Sequence, residues 1–254
     1  MTTRSQLVAI GRIGYFNGVL GLKRSPLQLA ALFLTPISFV FFLRLVAQPQ
    51  YFVYGVIGGA LFTVLFAGNG MLNDCAYLRL ERQLQQVFVA SPVRPISYVL
   101  GMALSQLAYD APALVLFLGL LAFVQPIPEG GFLALAGIVL LVWLWATSLG
   151  FLLSTFFRSQ REIWPIATLV FSTLSILPPI FYPLAIIPEP YRWVAFLAPS
   201  TFGSQLASQA AGLGPTPAVT PAALGDPFVQ AAVLVALTLL FALAAARLAR
   251  WREP

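Results

Sequence analysis

The sequence predicts an all-α integral membrane protein with six transmembrane helices, and three observations lead to this fold class. Only 9% of the 254 residues are charged and 59% are hydrophobic, whereas soluble domains carry about 25% charged residues. Six apolar runs reach the roughly 20 residues that a helix needs to cross about 30 Å of hydrocarbon. Lys and Arg cluster in alternate links between these runs. Lipid is therefore the solvent for much of the surface.

The first predicted element is an amphipathic segment over residues 4–22, which mixes apolar side chains with Arg4 and Arg12. Such a segment suits an N-terminal interfacial helix; the alternative is a basic anchor that only sets topology. The fifth span ends at Pro178 and Pro179, where a continuous helix would kink or break. The six predicted spans cover about residues 27–47, 51–72, 96–124, 132–156, 164–182 and 228–248.

The distribution of positive charge orients these spans. Twelve of the fourteen Lys and Arg residues lie in the N-terminal segment, the second-to-third link, the fourth-to-fifth link and the C-terminal tail. The other side holds only Arg44, near the end of the first span, and Arg192. The positive-inside rule therefore predicts that both termini are cytoplasmic. The expected location is the cell inner (plasma) membrane, with several passes.

The outer link between spans five and six is long. Residues 183–210 are too apolar for a free loop, and their prolines divide them into pieces shorter than a span. We expect them to form outer re-entrant helices at the leaflet surface. Residues 212–227 are rich in Gly, Pro, Ala and Thr, which predicts an exposed loop.

The chain lacks the motifs of nucleotide binding and of common catalytic sites. It has no histidine, which excludes Ser-His-Asp and Cys-His catalysis and every metal site that needs histidine. No GxxxxGK[ST] stretch occurs, and the glycines around the single lysine, Lys23, have the wrong register for a phosphate loop. We therefore predict no enzyme activity, no catalytic residue, no metal and no cofactor bound by this chain. The charges lie at the ends of apolar runs, so no nucleic acid partner is expected.

Two interpretations are open for the role of each polar or small residue singled out within the spans. Asp110 lies near the middle of the third span, where an ionised carboxylate costs about 2.5–3.5 kcal/mol. It is either a point on a substrate or proton path, or a packing residue. In the second case its carboxyl group forms hydrogen bonds locally, because Pro112 leaves a backbone carbonyl without its usual helical donor. A partner-independent carrier or channel that uses Asp110 is the alternative function. Gly55 and Gly59 permit close helix contact within the chain or across a dimer.

Residues 74–91 form the most polar stretch between two spans. Apolar side chains recur there at spacings of three and four, and arginines and glutamines lie between them. This pattern predicts an amphipathic cytoplasmic helix of about four turns. We expect the helix to end at Ser91 and Pro92. It either lies on the lipid headgroups or docks a soluble partner. The apolar set consists of Tyr77, Leu80, Leu84, Val87 and Phe88.

Three stretches resemble ABC-2 type transporter permeases. The stretch ERQLQQVFVASPVRPISYVLGMAL resembles the cytoplasmic link of that family. That link has a glutamate-bearing helix, then Ser-Pro, a basic residue and Leu-Gly. The junction of spans four and five is similar to LGFLLSTFFRSQREIWPIATLVF, and the outer region is similar to PPIFYPLAIIPEPYRWVAFLAPSTF. The matches keep the family order, and the six-span pattern covers essentially the whole chain. Gln85 departs from the family, which often has an acidic residue just before the Ser-Pro. If partner contact uses that acid, only Glu81 remains to supply it.

The resemblance implies the permease subunit of an ATP-driven ABC exporter for drugs, lipids or lipid-linked glycans. The implied partners are a cytosolic ABC ATP-binding subunit that holds ATP and Mg, a second copy of the chain or a related permease, and membrane lipids. The helix over residues 74–91 would be the coupling helix. Its implied partner-binding residues are Glu81, Arg82, Leu84, Gln85, Val87, Phe88, Ser91 and Pro92. Weaker substrate-path candidates, which also fit core packing or lipid contact, are Phe62, Asp110, Phe171, Leu174 and Leu177.

Overall fold

The computed structural model describes residues 3–24, 26–46, 51–82 and 93–248. Helices dominate these residues, and no strand occurs among them, as the all-α prediction requires. Short 3₁₀ turns lie at Leu184–Ile186, Glu189–Tyr191 and Ala222–Gly225. The helices are α1 (Thr3–Gly14), a π-helical turn (Tyr15–Val19), α2 (Leu20–Arg24), α3 (Pro26–Val46), α4 (Phe52–Leu80), α5 (Pro95–Val124), α6 (Gly131–Ser154), α7 (Gln160–Ile176), α8 (Arg192–Ala195), α9 (Pro199–Ala210) and α10 (Pro227–Leu248).

Four helices in the described part of the chain, α4, α5, α6 and α10, are long and apolar enough to cross a membrane. They correspond to the predicted spans two, three, four and six. Helices α3 and α7 lie where spans one and five are predicted, and their role as spans stays a prediction. The 17 residues of α7 give it a length of only about 25 Å at 1.5 Å per residue.

Helix α7 ends at Ile176, six residues before the predicted end of the fifth span. The reason is that Pro178 and Pro179 have no N–H groups and cannot continue the helical hydrogen bonds. The carbonyl that Pro178 leaves without a donor, that of Leu174, accepts a 2.7 Å hydrogen bond from the hydroxyl of Ser200 in α9. The end of α7 before the double proline is therefore stabilised by a hydrogen bond from the neighbouring helix α9.

Helix α4 is the most enclosed of the four long helices, and it contacts α3, α5, α6, α7 and α9. Glycines allow these close contacts. A Cβ atom on Gly59 would lie 2.5 Å from the ring of Phe117 in α5, and one on Gly68 would lie 2.2 Å from the ring of Phe171 in α7. The Gly55 and Gly59 pair lies on this buried helix, with both residues enclosed. Of the two readings of this pattern, Gly59 supports packing within the chain.

Helix α4 also runs past residue 72, where the second span was expected to end, and continues to Leu80. The predicted helix boundary at Asp74 is therefore wrong. No Gly or Pro interrupts this stretch, and Asn73 stays inside the helix, where its side-chain amide donates to the carbonyl oxygen and Oδ1 of Asn69 at 2.9 and 2.7 Å. Residues 74–80 are thus about two further turns of α4. Residues 83–92, the rest of the predicted coupling helix, lie outside the described residues.

The N-terminal helix, which comprises α1, the π-helical turn and α2, packs along the first half of α5. Small residues bring the two together: a Cβ atom on Gly14 would lie 2.9 Å from Leu104, and one on Gly18 would lie 2.8 Å from Ala108. Its outer side exposes apolar groups such as Phe16. This arrangement agrees with the predicted amphipathic segment, and its position at the membrane surface remains a prediction.

The link between α7 and α10 consists of short helical pieces, as its prolines predict. Arg192 holds two of its parts together, since Nε donates to the carbonyl of Ile187 at 2.9 Å and Nη1 donates to the carbonyl of Ala218 at 2.7 Å. Residues 212–227 are mostly exposed, as expected, but Val219 is buried. The segment is therefore anchored to its surroundings and is not a free loop.

Candidate functional site

The basic end of the bundle is the end at which α4 and α6 terminate and α5 and α7 begin. Arg79, Arg82, Arg94, Arg158 and Arg161 all lie there. Of the predicted partner-binding residues, only Glu81 and Arg82 belong to the described chain. Leu84, Gln85, Val87, Phe88, Ser91 and Pro92 lie outside the described residues.

Glu81 and Arg82 are exposed immediately after α4. The backbone N–H groups of both residues donate to the carbonyl oxygen of Tyr77, at 3.0 and 3.2 Å. The guanidinium of Arg82 folds back over the same residue, because Nε donates to the Tyr77 hydroxyl at 2.8 Å and the group lies 5.5 Å from the ring centroid. Glu81 and Arg82 therefore present a carboxylate and a guanidinium next to each other on the solvent-exposed side of the helix end.

Arg79 joins the end of α4 to the end of α6. Its Nη2 donates hydrogen bonds to the carbonyl oxygens of Ser154 at 2.6 Å and Phe157 at 2.5 Å, and Nη1 donates to that of Thr155 at 3.2 Å. The last carbonyls of a helix lack partners within the helix and form the negative end of its dipole. The guanidinium of Arg79 therefore supplies hydrogen-bond donors to these carbonyls and a positive charge at the negative end of the dipole.

Sequence reasoning missed this role, because the periodicity places Arg79 on the polar face of an amphipathic helix. In the structure its side chain is half-buried against α6. A partial signal exists in the sequence, since the last turn of α6 has no basic residue of its own. A cation from elsewhere would be favourable at this helix end, but the sequence does not say which arginine supplies it.

Two further contacts order the basic end. The side-chain oxygen Oε1 of Gln6, in α1, accepts a 3.1 Å hydrogen bond from the backbone N–H of Arg94, the residue before α5. The hydroxyl of Ser159 accepts a 3.3 Å hydrogen bond from the N–H of Arg161 and so caps α7. Arg94 is thus held to the N-terminal helix, and the start of α7 is capped beside the end of α6.

Buried polar groups lie between α4 and α5. The side-chain amide of Gln106 donates to Oδ2 of Asp74 at 2.7 Å. Asp110, one turn further along α5, is 4% exposed, and its Oδ2 has no hydrogen-bond partner in the described structure. No cluster of three or more metal-ligating acids or thiols occurs in the described residues. The described residues show no acid cluster around Asp110, and the carrier alternative gains no support.

The substrate-path candidates do not form a single surface. Phe62 is buried and stacks on Phe66 with ring centroids 4.4 Å apart, and Phe171 is fully buried against Gly68. Leu174 is half-buried near the end of α7, and Leu177, just after it, is 71% exposed. Within one chain, Phe62 and Phe171 are core residues, whereas Leu177 is free to meet another molecule.

An apolar cleft of about 650 Å³ lies at the other end of the bundle, beside α8. Its lining includes Trp193, Phe196 and Leu197 from α8 and the turn after it, and Pro221 and Leu224 from the segment before α10. It lies in the region that the sequence predicts to be re-entrant.

The comparison with protein families matches residues 17–210 to the ABC-2 type transporter family. The match begins in the π-helical turn and ends with α9, so it includes Arg79 and the ends of α4 and α6, whereas Gln6 precedes it. No curated protein matches the chain. Because the family match spans well over half of the sequence, the chain belongs to the ABC-2 type transporter family and is a multi-pass membrane protein, the permease component of an ABC transporter.

Proposed function

We propose that this chain is the membrane-spanning permease subunit of an ATP-driven exporter, which moves an amphiphilic substrate out of the cytoplasm. A separate ABC subunit would hold Mg and hydrolyse ATP, because the chain has no phosphate-binding loop of its own. The observation that supports this proposal most directly is the exposed charged pair Glu81 and Arg82 at the end of α4. That pair lies within residues 74–91, where the family resemblance predicts the coupling helix.

The proposed ATPase contact lies at the basic end. A nucleotide-binding subunit would meet Glu81 and Arg82 together with the neighbouring exposed charges Arg158, Arg161 and Glu162. Charges of both signs at the rim of an interface favour one partner orientation over others. In this arrangement both termini and the basic end face the cytoplasm, in agreement with the positive-inside rule.

The proposed permease unit contains two six-span chains. Helix α3 exposes Phe41, Phe42 and Leu45, and α7 exposes Leu169 and Leu177. Such apolar faces suit either lipid or a second permease chain. We place the substrate path between the two chains, where Leu177 would line it directly. Phe62, Phe171, Leu174 and Asp110 would reach it only if the helices move apart.

Charge reversal at the coupling segment tests this proposal. The complex is purified from the membrane through a tag on this chain, and the amount of ATP-binding subunit that co-purifies is measured. We expect the double variant Glu81→Lys, Arg82→Glu to lose the subunit, because each new charge repels the group that its predecessor attracted. Glu129→Lys, an equally exposed change at the opposite end of α5, is the matched control and should retain it.

Two results would contradict the proposal. The first is an unchanged yield of the ATP-binding subunit with the double variant. The second is a wild-type permease that transports its substrate in liposomes with no ATP-binding protein present. Arg82→Gln, which preserves hydrogen bonding to Tyr77 without the charge, distinguishes loss of the partner from loss of the local turn.

A further inference from the structure

Arg79 links three parts of the chain at the basic end. It belongs to the last turn of α4, it lies two residues before the exposed Glu81, and it binds the carbonyls of Ser154, Thr155 and Phe157. Those carbonyls belong to the end of α6 and to the short link that leads into α7 at residue 160. Arg79 therefore provides a direct contact between the end of α4 and the link that joins α6 to α7.

The same three helices meet again deeper in the bundle. A Cβ atom on Gly150 of α6 would lie 2.1 Å from the carbonyl oxygen of Gly68 in α4, and one on Gly68 would lie 2.2 Å from the ring of Phe171 in α7. Gly68 precedes Arg79 by eleven residues, or about 16 Å along the helix. The backbones of α4 and α6 are thus in contact at Gly68, and at the basic end the Arg79 side chain joins them.

We propose that Arg79 is a positioning residue. It transmits movement of the proposed ATPase-docking segment, which begins with Glu81 and Arg82 directly after α4, to α6 and α7. This inference rests on the proposed function, since it needs a partner that moves residues 81–94. Without Arg79, the end of α4 would move while the end of α6 and the link after it stayed behind. Glu81 and Arg82 would still bind the partner, because neither depends on Arg79 for its described contacts.

The chemistry of the contact favours arginine over lysine. A guanidinium has five N–H donors in a planar fork and can serve three carbonyls at once. An ammonium is a compact point charge on a flexible stem, so Arg79→Lys should retain only part of the contact. Arg79→Gln removes the charge and most of the donors.

Hydrogen exchange measured by mass spectrometry on the complete permease–ATPase complex tests the inference. Exchange is compared without nucleotide and with ATP plus vanadate, in wild type and in Arg79→Gln. In wild type we expect a nucleotide-dependent change both at residues 93–100, which continue directly from the docking segment, and at the link 155–159. In Arg79→Gln the change at residues 93–100 should persist, whereas the change at the link should be lost. Arg79→Lys should show an intermediate response.

Arg192→Gln is the matched control, because Arg192 also binds backbone carbonyls through its guanidinium, but in the link between α7 and α10. It should leave both nucleotide responses intact. A purely structural role for Arg79 would raise exchange at the link with and without nucleotide, and the difference between the two states would remain; that outcome overturns the inference. A wild-type complex whose link does not respond also overturns it. Failure to recover any ATPase with wild type would instead contradict the proposed function, so the two failures are distinguishable.

Discussion

At the scale of single residues, the buried polar side chains of α4 and α5 differ in whether their polar atoms have hydrogen-bond partners. Gln106 is 5% exposed and donates to Asp74 at 2.7 Å. Asp110 is equally buried, but its Oδ2 has no partner in the described structure. A buried polar atom that has lost its partner costs about 1–3 kcal/mol. The Gln106–Asp74 pair therefore stabilises the contact between the two helices, whereas Oδ2 of Asp110 adds no hydrogen bond among the described residues.

The Gln106 contact leads to a stability prediction. Gln106→Ala should lower the free energy of unfolding by about 1–3 kcal/mol, because the carboxyl group of Asp74 loses its donor. Thermal unfolding in detergent measures the effect. Adding Asp74→Ala should cost less in this background than in wild type, since the interaction is already gone. Strictly additive losses would show that the two side chains do not stabilise each other.

The residue scale is also where prediction from sequence is weakest. Hydropathy and Pro112 identify Asp110 as a residue inside a span, and the structure confirms that it is buried. By contrast, the partner of Asp74 is 32 residues away, and the carbonyls bound by Arg79 are 75 to 78 residues away. Periodicity tells which face of a helix a residue occupies. It does not tell which distant helix will cover that face.

At the scale of elements, small residues determine which helices touch. Gly68 in α4 meets the carbonyl of Ala146 in α6 and the ring of Phe171 in α7. In a membrane, where lipid is as apolar as leucine, such close packing is a main source of helix association. Helix α4 is therefore central because its glycines let neighbours approach, although its mean hydropathy is the lowest of the four long helices.

Two matched glycine substitutions test this statement. Gly68→Ala should destabilise the protein by about 1–3 kcal/mol, because the added methyl would lie 2.5 Å from the Ala146 carbonyl oxygen and must displace backbone. Gly119→Ala in α5 meets nothing within 4 Å, so it should be neutral or stabilising by up to about 1 kcal/mol. Thermal unfolding of both variants measures the difference. Equal effects would contradict the packing role of Gly68.

Element boundaries show what the sequence determines locally. The double proline after α7 was a reliable stop signal, and the structure ends the helix two residues before it. The separate helix predicted from Asp74 does not begin there, because α4 continues to Leu80 and the side chains of Asn69 and Asn73 bond to each other within it. Proline acts through its own missing N–H group, whereas an asparagine caps a helix only if its neighbours leave it free to do so.

At the scale of the whole molecule, composition and charge distribution predicted the membrane class and the helical fold, and the family match confirms the ABC-2 permease. The described structure adds a basic end whose flanks are fixed by Arg79 on one side and Gln6 on the other. The link between these anchors includes Glu81, Arg82 and Arg94, which are charges of both signs. We propose that the permease receives force from its partner through this link.

The composition of the native assembly tests this central claim most directly. Native mass spectrometry of the complex, purified in mild detergent from the membrane in which it is made, gives the stoichiometry without any substitution. We predict two permease chains, including this one of 27.5 kDa, together with two copies of an ATP-binding subunit. An intact, transport-competent assembly that contains this chain and no ATP-binding protein would contradict the account.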